Sequence, residues 1–493
     1  LAQYKASLSQ EELENLMKAT AHLKEYQDAP ETEEALKTIP LLKREDITRE
    51  TGKFYNTEKH AGETLILHHD LYTNGIGYLN LLFNTKKVPS GLVPYLGILK
   101  SVLGYVDTEH YTYGELFNEI NARTGGILFG IQVFGNARDN RLTTHMMGIK
   151  AKALYEDLPF VFQMIREILC TSRLDDEKRL YEIIAKMKSR MQMSMVSAGH
   201  STAVNRVLSY FSENAYFQEK IAGIDFYELI DDLEKNFQEK KGEIIENLKE
   251  LMKLVFRREN LIVSYTADQE GYKGLEEEIQ GLKEIFGDGE IENAVLEPVF
   301  ENKNEGFQTS GQVQYVATAG NFAEAGYEYT GALRILKVML SYEYLWTNIR
   351  VKGGAYGCMS GFRRTGDGFL VSYRDPHLKN TLEVFQKTGD FIRSFEADER
   401  EMTKYIIGTI SELDAPLTPS AKGAMSLNAW FSGITREDMQ KERDEILDAQ
   451  PEDIRNLAGI VDAIVGQDRI CVIGSEEKIQ QDKAVFKEVK HLL

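Results

Sequence analysis

The sequence predicts an α+β protein of two repeated units, each a mostly antiparallel sheet packed with helices, preceded by a helical hairpin. Two observations support this fold class. The predicted strands and helices follow the same order twice along the chain, and a short segment that ends in a double glycine recurs with them. A length of 493 residues and a hydrophobic fraction of 42% are sufficient for buried cores in both units.

The first segment, residues 1–50, is predicted to be a helical hairpin that acts as a linker. Ser9 and Glu12 form a capping-box pattern, followed by apolar residues at helical spacing. Thr32 can cap a second helix, which Pro40 would end. Because the chain starts with Leu and not Met, we expect it to be a piece of a longer polypeptide.

The first α+β unit is assigned to residues 51–286. Apolar residues at 63–67 and 77–84 predict two strands separated by an Asn-Gly turn, and a further strand is predicted at 261–265. Between these strands helical periodicity predominates. The segments that show it are 94–105, 114–123, 158–171, 176–198, 226–237 and 243–256.

A stretch rich in Gly, Asn and Glu at residues 287–310 is predicted to be a linker. The second α+β unit follows at residues 311–493, and its sheet is expected to open with a strand at 313–317. An amphipathic helix from about residue 330 to 346 comes next, because apolar residues recur there at three-and-four spacing. The later elements are strands at 356–362 and 368–373 forming a hairpin, helices at 378–395 and 399–413, and a strand at 470–473.

The repeat is also visible in the residues. Segment 116–126 lines up with segment 345–354, with one extra residue in the first copy, and both end in a double glycine. Chance similarity between amphipathic segments is the alternative, since the shared motif is short. In this alignment Asn121 takes the place of Arg350, and no Tyr follows it at the equivalent distance. We therefore expect the first unit to be a structural wall and the second to carry the chemistry.

The most informative segment is Arg350–Gly357, with the sequence RVKGGAYG. It places a cation, Arg350, and a phenol, Tyr356, on either side of Gly353 and Gly354, which are too small to block them. A guanidinium and a hydroxyl aimed at one point can bind a peptide carbonyl and stabilise the oxyanion formed on attack. The alternative is structural, because an Arg at a helix C-terminus and a Tyr at a strand start are both common.

This segment resembles the one that the C-terminal half of insulinase-like (pitrilysin-type) zinc metallopeptidases, in their presequence protease branch, contributes to the active site. Segments Tyr4–Ser9 and Ile39–Leu42 resemble the helical hairpin that joins the two halves of those enzymes. Segment Asp414–Pro419 resembles a late C-terminal part. The resemblance covers essentially the whole chain, and the RxxGGAYG block is its most specific part.

The resemblance implies that Arg350 and Tyr356 act as catalytic residues that reach substrate across a closed chamber. Both also belong to the expected substrate-binding set, together with Gly353 and Gly354, which keep the approach open. The resemblance implies that the two units form half of a clamshell. It also implies zinc in the complete enzyme with ligands outside this chain, an N-terminal catalytic half as a covalent or separate partner, and unfolded peptides as substrates.

The family's metal motif, His-x-x-Glu-His, does not occur in this sequence. Two pairs, His22 with Glu25 and His60 with Glu63, match the His-x-x-Glu part of this motif, but neither is followed by the second His. We therefore expect this chain to contain no metal site and to be inactive alone.

Composition excludes several function classes. Acidic residues outnumber basic ones 77 to 58, a formal charge of −19, so we expect no nucleic-acid partner. No apolar run approaches the length of a membrane helix, so we expect no membrane partner. Three widely separated cysteines argue against a disulfide scaffold and fit the cytoplasm, or an organellar matrix in a eukaryote.

The sequence therefore predicts the C-terminal half of a zinc-dependent, oligopeptide-degrading endopeptidase, providing substrate binding and transition-state stabilisation but not the metal site. Two alternatives stay open. The chain could be a non-catalytic structural or partner-activating half of a metallopeptidase-like complex, or an unrelated peptide-binding α+β module.

Overall fold

The computed structural model describes residues 42–139, 142–289, 291–294 and 298–493, and in the N-terminal segment residues 4, 7–29, 32, 34–35 and 38–40. The chain divides into two compact units, residues 1–47 and 48–493. The larger unit contains both sheets, so the predicted domain boundary between residues 286 and 311 stays a prediction.

Helix α1 (Gln10–Asp28) lies in the smaller unit and begins as the sequence predicts. The Ser9 hydroxyl accepts the Glu12 N–H, and the Glu12 carboxylate accepts the Ser9 N–H in return. The Thr32 hydroxyl accepts the Ala35 N–H at 3.2 Å. Parts of the predicted hairpin lie outside the described residues, at positions 1–3, 5, 6, 30, 31, 33, 36, 37 and 41.

The first sheet is built from the first half of the larger unit. Its described strands are β1 (Thr57–Ala61), β2 (Thr64–Asp70), β3 (Ile76–Asn84), β4 (Thr124–Gly135), β5 (Thr143–Leu154) and β6 (Leu261–Ala267). Their order is β1-β2-β6-β3-β5-β4. Only β2 and β6 run parallel within this part of the structure, and the other neighbours are antiparallel.

The second sheet is built from the second half. Its described strands are β7 (Asn304–Thr309), β8 (Tyr315–Asn321), β9 (Gly357–Phe362), β10 (Asp367–Tyr373), β11 (Ile470–Ser475) and β12 (Glu488–His491). Their order is β12-β7-β11-β8-β10-β9. β7 runs parallel to both β12 and β11, and the remaining pairs are antiparallel.

The two sheets repeat one topology. The series β2-β6-β3-β5-β4 corresponds to β7-β11-β8-β10-β9 in chain order, in spatial order and in the direction of every pair. The edge strands β4 and β9 are therefore equivalent. The predicted α+β repeat is confirmed at the level of topology.

Two elements predicted from the sequence are wrong. The second sheet begins with β7, which lies inside the segment 287–310 predicted to be a linker, and the strand predicted at 313–317 corresponds to the second strand, β8. The hydrophobic pattern of the sequence did not indicate β7, because its only large apolar residue is Phe307. Every residue of the strand is nevertheless buried. The predicted helix at 378–395 is also two shorter helices.

Helices cover both sheets. Those of the first half are α2 (Val93–Val102), α3 (Tyr113–Arg123), α4 (Leu158–Thr171), α5 (Glu177–Ser197), α6 (Gly199–Ser209), α7 (Glu213–Ala222), α8 (Ile224–Lys235), α9 (Phe237–Val255), α10 (Gln269–Tyr272) and α11 (Leu275–Lys283). Those of the second half are α12 (Ala332–Tyr342), α13 (Lys379–Gln386), α14 (Thr388–Arg393), α15 (Glu399–Leu413), α16 (Pro419–Ser432), α17 (Arg436–Leu447), α18 (Pro451–Arg455), α19 (Ala458–Val465) and α20 (Glu476–Gln481). Of these described helices, none combines the length and the apolar character needed to cross a membrane.

Helix α6 of the first half packs on the second sheet. Ala203 and Val207 share a buried apolar cluster with Tyr315 of β8 and Ile473 of β11. The helix comes very close at its start, where a Cβ on Gly199 would lie 2.3 Å from the Tyr315 ring. A larger residue at position 199 would push α6 away from the sheet.

Helix α16 of the second half packs on the first sheet in the same way. Leu427 shares a buried cluster with Leu67 of β2 and Leu82 of β3. The Phe431 ring stacks on Phe134 of β4 with 4.2 Å between ring centres. Each half of the chain thus covers the sheet of the other, which accounts for the single compact unit at residues 48–493.

A buried ion network fastens α6 to the second sheet. The Arg206 guanidinium donates to both carboxylate oxygens of Glu305 in β7, at 2.6 and 2.9 Å, and to Glu219 at 3.0 Å. The Tyr210 hydroxyl also donates to Glu305, at 2.6 Å. Burial alone would raise the pKa of Glu305, but the hydrogen bonds and charge of Arg206 bring it below its ordinary value.

We expect Arg206→Met to lower the free energy of unfolding by roughly 3 kcal/mol or more, because the buried carboxylates of Glu219 and Glu305 would lose the guanidinium that donates to both. Urea unfolding at neutral pH measures this loss. The matched control is Arg49→Met, which removes an exposed guanidinium paired with Asp444 and Asp448 and should cost much less. Equal losses in the two variants would contradict the assigned role of the network.

Candidate functional site

Arg350 lies in the last turn of a π-helix, Trp346–Val351, that follows α12. The Lys352 N–H donates to the Thr347 carbonyl at 3.0 Å, the five-residue spacing of a π turn. The sequence predicts an α-helix that continues to Trp346, but α12 ends at Tyr342. Apolar periodicity does not distinguish the two kinds of turn, and π turns recur at functional sites.

The double glycine makes the turn between the π-helix and β9. The Gly354 N–H donates to the Arg350 carbonyl at 2.9 Å, and the Ala355 N–H donates to Ile349 at 3.1 Å. A Cβ on Gly353 would lie 2.5 Å from the Ile349 carbonyl oxygen, and Gly354 has a φ of +77°. Both positions therefore require glycine in this conformation.

Tyr356 directly precedes β9, the edge strand of the second sheet. Its N–H donates to the carbonyl oxygens of Tyr373 at 3.0 Å and Arg374 at 3.3 Å, which fixes the backbone. Its side chain is 68% exposed. The predicted hairpin of β9 and β10 is confirmed, with residues 363–366 in the connection.

The donors of both predicted site residues are available for a ligand. The Arg350 side chain is exposed, and its guanidinium lies 4.0 Å above the centre of the Trp346 ring. Within the described part of the chain, neither the Arg350 guanidinium nor the Tyr356 hydroxyl has a hydrogen bond or an ion pair. The structure thus holds both at one sheet edge, and their action on a single oxygen stays a prediction.

The thiol of Cys358 in β9 lies behind this edge and does not act as a nucleophile. Burial and the charge of Asp375 raise its pKa to about 12, and the positive charge of Arg350 offsets only part of that rise. A thiol with this pKa is protonated at neutral pH. The groups that this edge presents to solvent are therefore the Arg350 guanidinium and the Tyr356 hydroxyl, which are hydrogen-bond donors.

Sequence analysis missed an aromatic cluster next to Tyr356. The Tyr373 ring lies 6.3 Å from the Tyr356 ring, 5.8 Å from Tyr315 and 4.8 Å from His200. Hairpin register places Tyr373 opposite Gly357 and was a usable signal. His200 comes from α6 of the first half, and no local pattern could have brought it here.

The equivalent position in the first half offers no such donors. Asn121 of α3 donates its side-chain N–H to the Phe117 carbonyl at 2.7 Å, so its amide is bonded within its own helix. The first double glycine, Gly125-Gly126, lies inside edge strand β4 where its pairing with β5 is irregular, whereas Gly353 and Gly354 precede β9. The role of the first half as a wall stays a prediction.

The described residues do not fit a zinc site. Among them, no group of three or more His, Cys, Asp or Glu side chains is arranged to hold a metal ion. His68 and His69 are buried in β2, where their ring nitrogens lie 2.9 Å from the Ala267 carbonyl and the Ser264 hydroxyl. Burial lowers the pKa of His69 to about 4, as expected for a neutral core histidine.

A cavity of about 630 Å³ lies near the far end of the hairpin, between β4 and α12. Two of its cations, Arg334 and Arg364, both form ion pairs with the buried carboxylate of Glu442. Both guanidinium groups are therefore already engaged by a carboxylate within the protein, although its single negative charge offsets only one of the two positive charges. Arg350 has no such partner among the described residues, which makes the edge of β9 the better candidate site.

Two family descriptions match the chain. The region associated with subfamily C of the M16 peptidases matches residues 1–233, and the "PreP C-terminal domain" matches residues 304–476. The second match contains the π-helix, the glycine turn and the β9–β10 hairpin.

Curated relatives match along the whole chain. Protein HypA of Clostridium perfringens is 40% identical over 493 residues, which cover 100% of this chain and 50% of that protein. Presequence protease 1, chloroplastic/mitochondrial, of Arabidopsis thaliana is 28% identical over 498 residues, covering 100% of this chain and 46% of that protein. The chain thus spans about half the length of the curated relatives it matches.

Solved structures share the fold. The peptidase M16 inactive domain from Pseudomonas fluorescens has a TM-score of 0.58 at 12% identity, covering 85% of this chain and 98% of that one. A protease from Helicobacter pylori has a TM-score of 0.60 at 10% identity, covering 85% and 99%. At these identities the likeness concerns the fold alone. The two family matches and the presequence protease relatives show that the chain belongs to the M16 peptidase family, in its presequence protease branch, and represents the C-terminal half of such a protein.

Proposed function

We propose that this chain is the substrate-binding half of a zinc-dependent endopeptidase that degrades oligopeptides. The observation that carries the proposal is the pair of exposed donors, Arg350 and Tyr356, without internal partners among the described residues, on either side of a tight glycine turn. A buried polar side chain such as Arg206 has its donors satisfied inside the protein, whereas the donors of Arg350 and Tyr356 face solvent.

In the proposed reaction the two donors bind the carbonyl oxygen of the bond to be cleaved. Arg350 gives charge-assisted hydrogen bonds, and the Tyr356 hydroxyl gives one more. When water adds to the carbonyl carbon, negative charge develops on that oxygen. Donors already held in place stabilise this charge more than they stabilise the neutral carbonyl, so they lower the barrier.

The glycine turn determines how near a substrate can come. No side chain projects from Gly353 or Gly354, so an extended peptide can pass between the two donors. We propose that the two halves of the complete protein close around the peptide as a clamshell, with the first unit as a wall. Only an unfolded segment would fit such a chamber.

The proposed zinc ion belongs to the partner half, because the described residues of this chain do not form a site for it. Such an ion would polarise the carbonyl and activate the attacking water. We propose the cytoplasm, or an organellar matrix in a eukaryote, as the compartment, since all three cysteines are free.

A second candidate function is a non-catalytic half that activates or stabilises a partner. The observation that favours it is the fold shared with the inactive domain of an M16 peptidase from Pseudomonas fluorescens. A His-x-x-Glu-His segment in the same reading frame would favour the peptidase. Its absence from both the reading frame and any bound partner would favour the second candidate.

We expect Tyr356→Phe to lower kcat of the complete protein on an unfolded peptide by about tenfold or more, because one oxyanion donor is lost. Steady-state peptide cleavage measures it. Tyr72→Phe is the matched control, since Tyr72 is 74% exposed and lies on the first half, and it should leave kcat unchanged. Wild-type turnover by the Tyr356→Phe enzyme would remove Tyr356 from the mechanism.

Arg350→Met should lower kcat/KM by more than Tyr356→Phe, because a charged donor contributes more than a neutral one. Arg350→Lys should fall between Arg350→Met and the wild type, since an ammonium keeps the charge but loses the planar fork. The same cleavage assay compares the three enzymes. If Arg350→Met and Arg350→Lys cleave as well as the wild type, the oxyanion role of the guanidinium is wrong.

A further inference from the structure

Arg374, directly after β10, has an unusual backbone. Its φ is 48°, in the left-handed region. Among the described residues, the other non-glycine residues with a positive φ are Asn74 and Asp468. Asn and Asp tolerate this left-handed conformation through short polar side chains, whereas Arg has no such compensation. A strained residue of this kind requires that its surroundings hold it in place.

The next residue supplies that restraint. Asp375 is fully buried, its N–H donates to the Gln314 carbonyl at 2.8 Å, and its carbonyl accepts the Gln314 N–H at 2.7 Å. Its carboxylate accepts from the Thr381 hydroxyl at 2.7 Å and from the His377 N–H at 2.9 Å. Arg374 therefore cannot relax without breaking several buried hydrogen bonds.

The strain changes where the guanidinium lies. Successive side chains of a strand point to opposite faces, so an extended Arg374 would point away from Tyr373. In the left-handed conformation its guanidinium lies 5.6 Å from the centre of the Tyr373 ring. The ring of Tyr356 also lies beside Tyr373, 6.3 Å from it. The backbone thus places a second cation beside the candidate site.

This cation also lacks a counter-ion. The Arg374 side chain is exposed, and no carboxylate of the described residues pairs with it. Its neighbour is the Tyr315 hydroxyl, whose hydrogen bond raises the pKa of Arg374. The Tyr315 hydroxyl donates its own proton to the Val196 carbonyl at 2.6 Å, so it acts as an acceptor toward the guanidinium. A guanidinium has five N–H donors, so most stay available.

We propose that Arg374 is a specificity-determining residue that binds a carboxylate of the peptide substrate, next to the carbonyl held by Arg350 and Tyr356. The inference rests on the proposed function for the identity of the ligand as a peptide. The planar fork of an arginine matches a carboxylate, with two parallel hydrogen bonds. In a chain of formal charge −19, Arg350 and Arg374 both lack a carboxylate partner among the described residues, and together they mark the edge of the second sheet as a local site for an anion.

The carboxylate has two possible sources, the C-terminus of the peptide or an acidic side chain. The test uses one unfolded peptide in three forms, with a free C-terminus and a glutamate, with an amidated C-terminus, and with glutamine in place of the glutamate. Fluorescence anisotropy measures the dissociation constant of each form for the complete protein, with a chelator present to prevent cleavage. Loss of affinity on amidation identifies the terminus, and loss on the glutamine change identifies the side chain.

The variant is Arg374→Gly, because glycine adopts this φ without strain and the fold should be retained. We expect the wild type to bind the carboxylate form about tenfold or more tightly than its neutral counterpart. Arg374→Gly should abolish that difference and leave the affinity for the neutral form unchanged. Arg374→Lys should retain part of it. Asn74→Gly, the same backbone change in the first half, should bind like the wild type.

The inference is wrong if the wild type shows no preference between the forms, or if Arg374→Gly keeps the full preference. Cleavage kinetics separate the inference from the proposed function. If the inference and the proposed function are both correct, Arg374→Gly raises KM for the carboxylate form about tenfold and changes kcat by less than about twofold. A protein that shows the Arg374-dependent preference but never cleaves peptide would refute the peptidase and retain the carboxylate site.

Discussion

The exchange of helices between the two halves, fixed by the buried pair Arg206 and Glu305, is the constraint on which the rest of the structure depends. Removing a guanidinium and a carboxylate from water costs free energy, and this cost is offset only when the two groups pair and form hydrogen bonds with each other. This requirement sets the position of α6 on the second sheet. The same helix carries His200 to the aromatic cluster beside Tyr356. Stability of the unit and the shape of the candidate site thus have one origin.

Local patterns were sufficient for much of the fold. Helices α4 and α15 have the predicted bounds because their apolar residues recur at a regular helical spacing. Strands β4 and β5, each of 12 residues, gave a weaker signal. Four glycines interrupt β4, and glycine disfavours strands in isolation. The exchange of α6 and α16 could not be predicted, since it depends on contacts between residues far apart in the sequence.

The candidate site also combines features that local sequence patterns predict with features that depend on distant contacts. Arg350, the two glycines and Tyr356 lie within one short segment. The sequence alone could therefore single them out and predict a turn between Arg350 and Tyr356. The aromatic cluster and the strained Arg374 depend instead on hairpin register and on a buried aspartate that no motif marks. Charge makes the same point. The total of −19 describes the whole chain, whereas the edge of β9 itself presents cations.

The π-helix before the glycine turn has a consequence for how this site could be altered by mutation. An α-helix rotates by roughly 100° for each residue, and a π turn accommodates one residue more than an α turn without shifting what precedes it. Deleting one residue between Trp346 and Val351 would restore regular winding. The guanidinium would then rotate about a quarter of a circle around the helix axis. Loss of a single codon in this segment would therefore redirect the guanidinium without any other change in the sequence.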